Sequence, residues 1–168
     1  MSTPAPDSQV GREFAWKVHD ALGDWTARVD TKASIVLSLQ ALAIGYAVTQ
    51  SGDKGPFSHL TGTQVWEWRM AMMFLVAAVF LSGAAVFPQL RRRKVKTETG
   101  LIYFGHLKRR DPQELIDTLL NLTADKAAEE LAGQLKRMSI ISWRKHSLLQ
   151  VSMILTGVSG FALILAGA

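Results

Sequence analysis

Asp30-Thr31-Lys32-Ala33 sets a carboxylate and an ammonium two residues apart, where a charged stretch gives way to an uncharged one. Such groups can hold an ion pair or an anionic ligand. On a helix, residues two apart do not face each other, so Asp30 and Lys32 must each look elsewhere for a partner. Lys145 and Arg144, at the start of a later uncharged run, are candidates, and a bound ligand is the alternative. Because lone charges at a membrane entry are costly, Asp30 and Lys32 read first as a structural membrane-entry pair.

Two further clusters carry recognisable chemistry. Arg91-Arg92-Arg93-Lys94 could bind nucleic acid, but directly after an apolar run its simpler reading is an anionic-lipid anchor and stop-transfer signal. Leu101-Ile102-Tyr103-Phe104-Gly105 joins two aromatics to a glycine and could stack on a nucleobase. Packing of Tyr103 and Phe104 against the first helix competes with that use. His19, His59, His106 and His146 are scattered without metal-ligand spacing, and no HExxH signature occurs. The absence of cysteine excludes disulfides and thiolate chemistry. Neither a Gly-rich phosphate loop nor a GxSxG elbow is present, so the expectation is a non-enzyme without metal or cofactor.

The elements that must position these groups are dominated by three uncharged runs: Ala33 to Gly52, Met70 to Leu90, and Ser147 to Ala168. Each has about 20 residues, which at about 1.5 Å per residue matches a hydrocarbon core of roughly 30 Å. Lipid offers backbone groups no hydrogen bonds, and three spans cannot close a barrel, so the runs must be helices. The first, with Ser34, Ser38 and Gln40, is the least apolar. Trp66, Trp68 and Trp143 stand near the boundaries of the other two, where indole rings favour the headgroup layer.

The chain has 168 residues and a formal charge of +5, and the distribution of that charge sets a direction. Thirteen Lys and Arg fall between Arg91 and His146, against Lys54 and Arg69 alone between spans one and two. The positive-inside rule then places the N-terminus and segment 91–146 in the cytoplasm of a multi-pass inner-membrane protein. The polar start, Met1 to Gln9 with Pro4 and Pro6, gives no expectation of a cleavable signal peptide.

The expected architecture is all-α: one domain over 1–168, with transmembrane spans 33–52, 70–90 and 147–168 and cytoplasmic helices in 9–32 and 97–146. Ala15, Val18, Leu22, Trp25, Val29 and Ala33 recur at three and four residues, so the first helix runs from near Gln9 into its span. Ala128, Leu131, Leu135, Met138 and Ile141 mark a second helix, 124–146, that does the same. Shorter helices are expected over Thr99–Leu107 and Pro112–Leu122, with Asp111 capping and Pro112 starting the latter. Within the spans, Ala41/Gly45/Thr49, Ala78/Ser82 and Ser152/Thr156/Gly160 set small residues four apart for close helix approach.

The order of these features resembles the Pycsar transmembrane effector family. The likeness rests on Asp30-Thr31-Lys32-Ala33 opening span one, Val86-Phe87-Pro88 closing span two, Ile102-Tyr103-Phe104-Gly105, and Lys145 before the last span. It implies an antiphage effector that responds to a cyclic pyrimidine mononucleotide, cyclic CMP or cyclic UMP, made by a partner cyclase. It further implies impairment of the inner membrane, abortive infection, and a homo-oligomer among lipids, with no DNA or RNA partner. No pocket motif comes with the resemblance. An anionic cyclic phosphate would favour Lys32, Arg91, Arg92 and Lys145, with Tyr103 or Phe104 under the base. A membrane scaffold or regulatory subunit binding a protein partner is the alternative, and a membrane-embedded enzyme, lacking ionisable residues within its spans, the weakest reading.

Overall fold

The computed structural model describes residues 6–52, 55–87 and 111–167. Four helices carry them: α1 (Pro6–Thr49), α2 (Thr63–Val86), α3 (Pro112–Leu120) and α4 (Ala124–Gly167). No strand occurs among the described residues. The helix expected over Thr99–Leu107, the basic run 91–94, Tyr103 and Phe104 all lie outside the described residues.

The helix ends follow from local chemistry. Pro6 opens α1, where a missing N–H costs nothing. α2 ends at Val86 because Pro88 disfavours helical dihedrals in the residue before it, and Phe87 is extended at φ −58°, ψ 135°. The helical part of span two therefore stops at 86, short of the 90 that the uncharged run suggests, and it starts earlier, at Thr63. α3 begins as its sequence predicts, with Pro112 in the first turn and the Asp111 carboxylate accepting a hydrogen bond from Gln113 N–H at 3.0 Å. It closes at Leu120, two residues short of the expected end. In the loop after α1, Phe57 N–H donates to Gln50 O, and a Cβ on Gly55 would lie 1.9 Å from that same oxygen, so glycine is required there.

Among the described residues three helices are long and apolar enough to cross a membrane: α1 over Val10–Thr49, α2, and α4. α1 and α4 have 44 residues each, about twice the roughly 20 that a bilayer needs. Both divide between two compact units, one comprising residues 1–25 and 89–142, the other 26–88 and 143–168.

Among the described residues of the first unit, Leu22 and Leu131 are the buried apolar side chains. Trp25 is exposed, although its spacing puts it on the expected apolar face of α1.

The second unit packs parts of α1, α2 and α4 along a seam with a seven-residue repeat. Ala33, Gln40 and Ala47 are buried on α1; Ala71, Ala78 and Ala85, with Leu75 and Ser82, on α2; Lys145, Ser152, Ser159 and Ala166 on α4. A sustained seven-residue repeat keeps the seam facing its partners when helices supercoil left-handedly. Val29, Ala33, Ala85 and Leu149 form the apolar end of this core. Of the three small-residue stripes, Ala78/Ser82 is buried, and Ser152/Thr156/Gly160 is buried at Ser152 and half-buried beyond it. Ala41/Gly45/Thr49 faces outward instead. That stripe lies one residue out of phase with Ala33, Gln40 and Ala47, the positions that actually meet the other helices.

The unit is more apolar outside than inside. Ile35, Leu42, Phe80, Ile154, Phe161 and Ile164 are all exposed, whereas four of the five largest fully buried side chains are Gln40, Ser82, Ser152 and Ser159. In water such a surface would drive aggregation. In lipid tails it costs nothing, and helix association rests on close packing and interhelical hydrogen bonds.

Candidate functional site: an entry ion pair and a buried amide–hydroxyl cluster

Asp30 and Lys145 meet within the second unit. Lys145 Nζ donates to both carboxylate oxygens of Asp30, at 2.6 and 2.8 Å. The lysine side chain is 7% exposed and the aspartate 38%, so the ammonium is enclosed while the carboxylate keeps a wet edge. Helical phase explains the pairing. Asp30 flanks Val29 on the buried side of α1, and Lys145 stands seven residues before Ser152 on the buried side of α4. The pair therefore ties α1 to α4 where their uncharged stretches begin.

The remaining candidate residues divide between the described and undescribed parts. Lys32 is exposed, as the two-residue spacing from Asp30 requires, and Arg144 is exposed beside Lys145. Asp30 is thus partnered with Lys145 and not with Lys32. Of the residues that would suit a nucleotide, Lys32 and Lys145 are described, one open and the other spent on Asp30. Arg91, Arg92, Tyr103 and Phe104 lie outside the described residues.

About three turns further along α1, Gln40 is fully buried and organises a network. Its Nε2 donates to Ser152 Oγ at 2.9 Å and to Thr156 Oγ1 at 2.7 Å. Ser152 donates to Ala78 O at 2.9 Å, and Thr156 to Ser152 O at 2.8 Å. Since Ser152 has one proton and gives it to Ala78, the 2.6 Å contact with Ser82 must be donated by Ser82. One heptad on, Ser159 donates to Ala71 O at 2.8 Å. The network joins all three helices through groups that lipid cannot satisfy. One atom is left over: Gln40 Oε1 is buried with no partner.

Sequence reasoning discounts Gln40, because a single amide in an apolar run reads as a defect in a span. Its significance shows only when the seven-residue phases of three helices are aligned, which puts Gln40, Ser82 and Ser152 at one level.

Among the described residues no group of three or more His, Cys, Asp or Glu could hold a metal. In the first unit, His19 packs edge-on against Trp16 with ring centroids 5.4 Å apart. Its Nδ1 comes to 3.5 Å from Asp20 Oδ1 without forming a hydrogen bond, so the ring is held by packing.

Compared with known proteins, residues 14–168 match the family model described as Pycsar effector protein domain. No curated protein and no solved structure matches the chain. The match takes in all three candidate spans.

Proposed function

The chain belongs to the Pycsar effector protein domain family, an antiphage effector lineage, and from that premise we propose that it is a non-catalytic effector that impairs the bacterial inner membrane on receiving a cyclic pyrimidine mononucleotide. One observation carries this reading. The effector match covers the membrane-length helices themselves, so the region that acts is the region that can sit in lipid. The distribution of Lys and Arg supports an N-terminus and a 91–146 segment in the cytoplasm, where a soluble cyclase product would reach them.

On this reading cyclic CMP or cyclic UMP binds among Lys32, Arg91, Arg92 and Lys145, with Tyr103 or Phe104 stacked on the base. Asp30 already occupies Lys145, so a cyclic phosphate would compete with that carboxylate for the same ammonium. Such an exchange loosens the tie between α1 and α4. A nucleotide shifts the equilibrium only through a difference in its affinity for the two states, and a near-complete switch needs about 5.5 kcal/mol of difference. Several copies acting together would enlarge the lesion that one three-helix unit can make.

The test is infection of bacteria carrying the chain beside an active or a catalytically dead pyrimidine cyclase. With the active cyclase, infected cultures are expected to stop growing before phage release, and plaque numbers to fall at least tenfold. Protection that persists with the dead cyclase would contradict the reading.

A further inference from the structure

We infer that the buried amide–hydroxyl cluster of Gln40, Ser82, Ser152 and Thr156 is a latent hydration site, and that water and small monovalent cations cross the membrane along the seam it lines. The inference rests on the proposed function and names the path by which the membrane is impaired.

The proton count is the first observation. Both amide protons of Gln40 are given to Ser152 and Thr156, while the protons of those two hydroxyls go to Ala78 O and Ser152 O. Turning the amide over would place its two N–H donors where no acceptor lies, so the observed orientation satisfies more groups. Gln40 Oε1 thus remains a fully buried acceptor without a donor. Water supplies the missing donor, and a cation binds the same lone pairs.

The second observation is alignment. Lys145, Ser152 and Ser159 recur every seven residues on the buried face of α4, which at about 1.5 Å per residue sets polar groups over roughly 21 Å of a roughly 30 Å core. Between them the seam is lined by buried alanines and interrupted by the buried side chains of Leu75 and Leu149. An apolar constriction in a polar-lined path excludes water until it widens. Each serine that faces the seam now bonds a carbonyl or another hydroxyl, and when the helices part each can bond water instead. The outward faces carry Ile35, Phe80, Ile154 and Phe161, and the exposed Ser34 and Ser38 bond carbonyls of their own helix instead of joining two helices.

The chain contains no cysteine, so a single thiol reports the seam directly. Ser152→Cys, and Val151→Cys as the lipid-facing control, are to be treated with a positively charged methanethiosulfonate reagent in cells with and without an active pyrimidine cyclase. The expected result is at least a tenfold rise in labelling at position 152 that accompanies depolarisation, with no rise at 151. In the same cells Gln40→Leu should insert normally yet leak at least tenfold less. Depolarisation without labelling at 152, or with equal labelling at 151, would overturn the path.

A second arm needs no nucleotide. Asp30→Lys opposes two ammonium groups at the mouth of the seam and should make vesicles of the full chain leak potassium, with labelling at 152. Asp30→Lys combined with Lys145→Asp restores the pair and should reseal it. A tight Asp30→Lys chain, or one labelled equally at 151 and 152, would sink the seam proposal whatever the nucleotide does. Loss of the nucleotide response with this second arm intact would sink only the functional reading.

Discussion

Lys145 is the residue on which the described structure turns. Its ammonium is nearly enclosed, and its observed partner is a carboxylate 115 positions earlier. Truncating one member of a buried pair leaves the other charge uncompensated, costing about 3–5 kcal/mol when fully buried and about 0–1 kcal/mol when exposed. With Asp30 partly wet, Asp30→Ala and Lys145→Ala should each lower stability by about 2 kcal/mol, read by unfolding in mixed detergent micelles. The double alanine variant should lose much less than the sum, because the two share one interaction. Strictly additive losses would show that the pair contributes nothing. This contact was partly legible beforehand. The two-residue spacing rules out Lys32 as the partner of Asp30 and leaves Lys145 among the few cations at a comparable depth. Gln40 was not legible, since a lone amide in an apolar run does not show which helix face it shares with Ser152 and Thr156.

At the scale of the element, the lesson lies in which small residues meet. Ala41/Gly45/Thr49 and Ala33/Gln40/Ala47 occupy neighbouring faces of α1, and spacing alone favours the former, with its glycine. Close packing selects the latter, because Gln40 reaches hydroxyls on α4 and its amide cannot be left in lipid. Ala78 on α2 is fully buried, and its carbonyl accepts from Ser152. Ala78→Leu should therefore force the helices apart and cost about 1–3 kcal/mol. The same change at the exposed Ala41 should leave the unfolding midpoint unmoved. Equal effects at 41 and 78 would show that the seam is wrongly placed. Pro112 made the start of α3 easy to foresee, whereas the uncharged run up to 90 hid the end that Pro88 imposes on α2 at Val86. Trp25 misled because a periodic apolar pattern marks a face without saying how much of it is covered.

Across the whole molecule, the three apolar runs were legible because membrane-length hydrophobicity is the strongest pattern that a chain can carry. The polar interior was not, since composition averages over both faces of a helix. The residues proposed to bind a nucleotide were the least accessible to sequence reasoning. Arg91, Arg92, Tyr103 and Phe104 have no spacing that distinguishes a ligand site from a lipid anchor or a packed aromatic pair. What joins the scales is a bundle with an apolar exterior, a polar seam, and a charge pair joining two of its helices. Under the proposed function, release of that tie is the step that lets the membrane leak. The most direct test is the membrane potential of bacteria that express the chain, followed with a potential-sensitive dye while an active pyrimidine cyclase is induced. Depolarisation is expected within minutes, and none when the cyclase is catalytically dead. A steady potential, with the chain inserted and cyclic CMP or cyclic UMP accumulating, would contradict it.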